Sequence, residues 1–111
     1  MRELFEAKDR GFDVMVLKAK EPVLVVFGAP WCVVCKAMEG EIHAFAEEDY
    51  VKTVHVDLDA CPEIAERYGE MLRSVPTFFL FKAGQVILEL HGKMTKKELK
   101  QKVMDALDRT K

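Results

Sequence analysis

The stretch 22–36, PVLVVFGAPWCVVCK, decides the fold. Residues 23–27 form an unbroken, largely β-branched apolar run between turn residues, the pattern of a strand buried on both faces. Gly28, Ala29 and Pro30 then turn the chain into Trp31 and the pair Cys32 and Cys35. Across 33–48 the apolar positions Ala37, Met38, Ile42 and Phe45 recur at helical spacing. Residues 51–58 alternate, with Val54, Val56 and Leu58 on one face and His55 and Asp57 on the other. Strand, helix and strand in that order make a βαβ unit, hence two parallel strands joined by a crossover helix.

Working outward, Phe12, Met15, Val16 and Ala19 have the spacing of a helix over 12–19, which Pro22 closes. Pro62 suits the start, and Gly69 the end, of a short helix over 63–68. The runs 77–82 and 85–90 flank Ala83-Gly84 and read as an antiparallel hairpin. Thr95 and Glu98 form a capping box ahead of Leu99, Val103 and Leu107 at helical spacing. The element order is helix–strand–helix–strand–helix–strand–strand–helix, and a mixed sheet between helices is its packing solution. There is no repeat or linker, so residues 1–111 are expected to form a single domain.

Composition narrows the function. Half of the residues are apolar, 32% are charged and the net charge is −2. That balance excludes the clustered basic footprint of a nucleic-acid binder, and the Lys-rich stretch 93–102 reads as the wet side of a helix. No apolar run approaches the roughly 18–20 residues that span a bilayer, so no membrane span is expected. The segment MRELFEAKDR lacks the apolar core of a signal peptide, which points to the cytoplasm. A mature domain released from an exported precursor would look the same.

Three cysteines, two of them three residues apart, suggest redox or metal chemistry rather than a structural disulfide framework. Zinc needs two further ligands at sensible spacing, whereas Cys61, His43, His55 and His91 are scattered singly. No metal is therefore expected. Cys32 falls at the junction of a buried strand and a helix N-terminus. Lowering a thiol pKa from about 8.5 to about 7 requires roughly 2 kcal/mol of preference for the thiolate. The helix dipole offers about 0.3–1 kcal/mol, and orphan N–H groups add charge-assisted hydrogen bonds. Positions i and i+3 share a helix face, so the two sulfurs can meet without backbone movement. Cys32 is expected to be exposed and to attack a substrate disulfide. Cys35, one turn in, is expected to be shielded and to resolve the mixed disulfide. Cys61 is expected to be buried, or otherwise an accessory thiol.

These residues resemble the thioredoxin family, whose pattern is a buried strand running into W-C-x-x-C-K. Val75-Pro76-Thr77 followed by FFLFKAGQ resembles that family's second mark, a cis-proline opening the next strand. Tyr68-Gly69 and His91-Gly92 fall at comparable places, and the resemblance runs from Leu4 to Leu107. It implies a thioredoxin fold: an α/β architecture with a central mixed sheet of four to five strands flanked by helices on both faces. It implies a thiol–disulfide oxidoreductase cycling a Cys32–Cys35 disulfide, with no cofactor beyond that redox-active pair. Trp31 would be an apolar platform, its alternative being a packed core residue. The Val75 backbone would pair with an extended substrate, and Pro76 would pack beside the cysteines. Implied partners are disulfide-containing proteins and a thioredoxin-reductase-like electron donor, with the chain a monomer.

Departures from the family pattern carry their own expectations. Val33 and Val34 replace Gly-Pro between the cysteines and add no positive charge, so the protein is expected to be reducing rather than oxidising. Val26 stands where the family has a buried acid. His55 stands where it often has a lysine; it reads either as a sharer of the proton transfer or as an ordinary imidazole on the sheet. Gly40 replaces a kinking proline and serves a bend or close packing. Met71 and Leu72, in a stretch about two residues longer than usual, either contact partners or tuck into the core. Two other functions compete. The motif W-C-V-x-C-K also resembles the thioredoxin-like domains of transmembrane thiol–disulfide interchange proteins, which work outside the cytoplasm. A non-catalytic binding module on the same fold is the other, though a binder has no need of two thiols at this spacing.

Overall fold

The structure, a computed structural model, describes residues 4–110; residues 1–3 and 111 of the expected domain 1–111 lie outside the described residues. The strands are β1 (Leu4–Ala7), β2 (Val23–Gly28), β3 (Lys52–Asp57), β4 (Thr77–Lys82) and β5 (Gln85–His91). They form one sheet in the order β1-β3-β2-β4-β5. β1, β3 and β2 are mutually parallel, while β4 runs antiparallel to β2 and β5 antiparallel to β4. The helices are α1 (Val33–Ala37), α2 (Glu39–Glu47), α3 (Pro62–Tyr68) and α4 (Lys96–Arg109). The mixed sheet with helices on both faces is the architecture expected from the element order.

Every residue of β2 is buried, and the strand's period of two divides the core into two layers. Val23, Val25 and Phe27 face one cluster with Phe12, Val16, Val54, Val56, Ile64, Phe79 and Phe81. Leu24 and Val26 face the other with Met38, Ile42, Phe45, Phe78, Leu80, Leu99 and Val103. In the first layer Tyr68 packs edge-on against Phe12 and Phe79, with ring centroids 6.2 and 5.5 Å apart.

Three local readings change on folding, and two that were open are decided. The edge strand β1 was absent from the element order; it is four residues long and half exposed, too short to show a period. The segment read as a helix over 12–19 is a single π-helical turn, Asp13–Leu17, closed by a hydrogen bond from Lys18 N–H to the Asp13 carbonyl at 2.8 Å. Phe12 and Val16 anchor it in the core, and their spacing does not distinguish this wider turn from an α-helix. The helix expected over 33–48 breaks at Met38, whose N–H is shared between the Val34 and Cys35 carbonyls. Gly40 has open space where a Cβ would stand, so it serves no close packing. The stretch before Pro76 holds a 3-10 turn, Gly69–Leu72, in which Met71 is exposed and Leu72 enters the core.

The capping signals fold as read. Thr95 Oγ1 accepts the Glu98 N–H at 3.1 Å, and the Glu98 carboxylate accepts the Thr95 N–H at 3.0 Å. That backbone hydrogen bond holds the Glu98 carboxyl below its ordinary pKa. α3 starts with Pro62, and its cap comes from a distant residue: the Asp9 carboxylate accepts the N–H groups of Glu63 and Ile64 at 3.0 and 2.9 Å.

The β4–β5 turn places both Ala83 (φ 52°) and Gly84 (φ 78°) in the left-handed region, as a two-residue hairpin of this hand requires. Gly84 is further constrained, because a Cβ there would lie 3.0 Å from the Leu17 carbonyl oxygen. Ala83 gains nothing from its strained φ, and asparagine tolerates that region far better. Ala83→Asn is expected to stabilise the fold by about 0.5–1 kcal/mol, read as a rise of a few degrees in Tm. An unchanged or lower Tm would show that the turn carries no such strain.

Candidate active site

Where β2 ends, the chain needs four residues to turn before α1 begins, and Cys32 is the N-cap of that helix (φ −84°, ψ 109°). Its Sγ accepts the backbone N–H of Cys35 at 3.1 Å. A donor fixed on that sulfur favours the thiolate over the thiol, and the start of the helix adds partial positive charge. Cys32 and Cys35 have Cα atoms 5.2 Å apart and are joined as a disulfide.

The second part of the site comes from a remote segment. The Val75–Pro76 peptide is cis, and the Val75 carbonyl oxygen lies 3.7 Å from Cys32 Sγ. The Pro76 carbonyl accepts the Gly92 N–H at 3.0 Å, and Thr77 Oγ1 donates to the Ser74 carbonyl at 2.6 Å. His91 Nδ1 lies 2.8 Å from the same Thr77 oxygen, and its Nε2 lies 2.6 Å from the Glu89 carboxylate. These contacts tie the segment 74–77 to β5 and so set where Val75 meets Cys32. Trp31 is 68% exposed, with its indole N–H directed at Asp59 Oδ1 at 3.4 Å. It lies on the surface, so the packed-core alternative does not hold. Val33, Val34 and Met71 are exposed apolar residues as well.

The structure thus brings Trp31, Cys32, Cys35, Val75 and Pro76 together, but it reverses the expected exposure of the two cysteines. Cys32 is only 6% exposed, whereas Cys35 is half-buried. Cys32 sits against the Val75 carbonyl. Cys35 lines a cavity of about 150 Å³ behind the disulfide, which Val26, Gly28, His43, His55, Asp57 and Pro76 also line and Cys32 does not. Gly28 contributes no side chain to fill that space. A Cβ there would stand 3.4 Å from Cys35 Sγ and 3.3 Å from His55 Nε2.

His55 is held on its other side. Its Nδ1 lies 2.9 and 3.0 Å from the two carboxylate oxygens of Glu6. Glu6 and Gly28 were not singled out from sequence. No signal marked Glu6, which belongs to the unread strand β1; Gly28 showed only as a turn residue beside the motif. Among the described residues no group of three His, Cys, Asp or Glu side chains is arranged to hold a metal ion.

Cys61 lies outside this arrangement. It is fully buried, and its Sγ lies 3.6 Å from the Ala7 carbonyl oxygen. Burial, and after it the Asp9 carboxylate, push its thiol pKa up, so its thiolate fraction at any pH is below that of a free thiol. In reduced native protein, iodoacetamide at pH 8 is expected to label Cys32 while sparing Cys61, which labels only on unfolding. Equal labelling of both, read by mass spectrometry, would show that Cys61 is open to solvent.

The thioredoxin family model matches residues 3–105. Thioredoxin 1 of Nostoc is 37% identical over 98 residues, covering 86% of this chain and 90% of that protein. Thioredoxin 1 of Synechococcus elongatus is 39% identical over 93 residues, covering 82% of this chain and 85% of the relative. The chloroplastic M-type thioredoxin of wheat is 42% identical over 86 residues, 75% of this chain, which spans about half of that relative's length (47%).

Proposed function

This chain belongs to the thioredoxin family of thiol–disulfide oxidoreductases, and we propose that it reduces protein disulfides, with Cys32 attacking and Cys35 resolving. The observation that carries the proposal is the Cys32 sulfur itself: N-cap of α1, acceptor of the Cys35 N–H, and neighbour of the Val75 carbonyl. The Cys32 thiolate attacks a substrate sulfur, and the other substrate sulfur leaves as thiolate. Cys35 then attacks Cys32 Sγ, closing the internal disulfide and releasing the second substrate thiol. The low exposure of Cys32 is compatible with this order, because a substrate strand pairing with the Val75 backbone arrives beside its sulfur. The exposed rings and methyls of Trp31, Val33 and Val34 supply apolar contact for that strand.

The direction of the chemistry follows from what stands between the cysteines. Val33 and Val34 carry no charge and donate nothing to a thiolate, so the reduced form is not stabilised as it is in strong oxidants. A thioredoxin-reductase-like donor recharging a monomer in the cytoplasm completes the proposal. Among the described residues no helix is long and apolar enough to cross a membrane.

Cys35→Ser is expected to trap mixed disulfides on Cys32, whereas Cys32→Ser traps none at comparable yield. Trapping on Cys35 in the Cys32→Ser protein would reverse the assigned roles. Equilibration with glutathione is expected to give a potential near about −270 mV; a value near about −120 mV would identify an oxidant instead.

A further inference from the structure

The geometry points to His55, oriented by Glu6, as the group that takes the Cys35 proton when Cys35 closes the disulfide; this inference rests on the cysteine roles proposed above. The resolving step needs that proton removed, because only the thiolate is nucleophilic. A neutral imidazole is suited to the task at neutral pH if one nitrogen is free to accept and faces the thiol.

Both conditions are met. The Glu6 carboxylate can only accept, so at 2.9 and 3.0 Å it fixes the neutral ring with the proton on Nδ1. The free lone pair is then on Nε2. That atom and Cys35 Sγ border the same narrow gap at Gly28, 3.3 and 3.4 Å from where a Cβ would stand. The two atoms are therefore no more than about 6.7 Å apart, a span that one water lodged beside Gly28 can bridge by hydrogen bonds. The surrounding cavity, about 150 Å³, has room for such a water.

The sheet register makes the arrangement durable. Glu6 pairs with His55 across β1 and β3, and His55 pairs with Val26 across β3 and β2. Gly28 follows two residues after Val26 on the same face, paired with Asp57. Val26 supplies no acceptor. The other titratable groups lining the cavity are Asp57 on β3, Lys36 on α1, and Glu39 and His43 on α2. None of them supplies any of the three side-chain atoms nearest the Gly28 gap, which belong to His55 and Cys35.

The step balances as follows. The proton passes from Cys35 Sγ to His55 Nε2, directly or through the water, giving imidazolium. The Cys35 sulfur pair forms a bond to Cys32 Sγ, the bond from Cys32 to the substrate sulfur breaks, and that pair leaves on the substrate thiolate. The cysteine pair is oxidised by two electrons and the substrate disulfide is reduced by two. The imidazolium returns its proton to the leaving thiolate or to solvent. Glu6 is a positioning residue, acting only through the ring it holds.

The test is stopped-flow mixing of the reduced protein with 5,5′-dithiobis(2-nitrobenzoate) from pH 5 to 8. The first equivalent of coloured thiol reports attack by Cys32, and the second reports resolution by Cys35. His55→Gln is expected to slow the second phase about tenfold or more at pH 7 while sparing the first, and to change the pH profile of the second phase. Glu6→Gln should slow the second phase less than His55→Gln does and also change its pH profile. Gly28→Ala, which keeps the imidazole but crowds Nε2 and Sγ apart, should also slow it. A second phase within twofold of wild type in His55→Gln across the pH range overturns the inference, as does a loss seen in Asp57→Asn but not in His55→Gln. A wild type releasing no first equivalent overturns the cysteine roles themselves, whereas a normal first phase with an insensitive second overturns only the part given to His55.

Discussion

Strand β2 has no exposed residue, and the positions of all the other elements follow from that burial. A strand apolar on both faces must be covered on both faces, and its two neighbours must satisfy its backbone groups. β3 pairs with it on one side and β4 on the other. At its C-terminal end the pairing stops, and the chain has to leave the sheet at Gly28. The cysteine pair lies where the chain re-enters regular structure as α1, and the antiparallel partner β4 begins directly after Pro76. Two segments 43 residues apart therefore meet at one end of one strand. The proximity of Cys32 to Val75 is a consequence of the sheet.

The same sheet explains why the two cysteines are buried in an order opposite to the simple helix argument. Seen along the helix alone, the N-cap residue ought to be outermost. In the folded chain the 74–77 segment lies against Cys32, tied down by Thr77, His91 and the Gly92 N–H. Cys35 faces inward, but what lies inward is a cavity bordered by Gly28, the apolar Val26 and Ile42, and the polar His55 and Asp57. Burial along a helix and burial in a domain are different quantities when the covering segment comes from far away in the chain. The cavity also sets a titratable side chain, His55, near the second thiol, whereas the polar neighbours of the first are backbone groups.

Elements with a strong period and clear end signals were legible. The buried run 23–27, the alternation of 51–58, the Pro62 start of α3, the hairpin around Ala83-Gly84 and the Thr95–Glu98 capping box all fold where local pattern put them. What escaped was decided by packing. The long helix breaks at Met38, a fully buried residue whose N–H is shared between two carbonyls, and the glycine two residues on takes no part in close packing. Phe12 and Val16 sit at the right spacing for an α-helix yet close a π-helical turn between them. β1 pairs only along one edge and carries Glu6 and an exposed Phe5, so nothing in its composition announces a strand.

From the order of residues alone follow the α/β class, the parallel crossover unit and the reactive C-x-x-C pair, because these depend on contacts between near neighbours in the chain. The Val75–Pro76 segment and its cis bond followed from family resemblance, which local physics could not supply. Folding alone decided which sulfur is covered, which imidazole nitrogen faces Cys35, and that Glu6 holds the other nitrogen. Those facts depend on strand register and on an absent side chain at Gly28, where residues distant along the chain meet at fixed distances. A linear pattern encodes periods, ends and pairing within a crossover unit or a hairpin; it does not encode that β4 lies beside β2 or β1 beside β3.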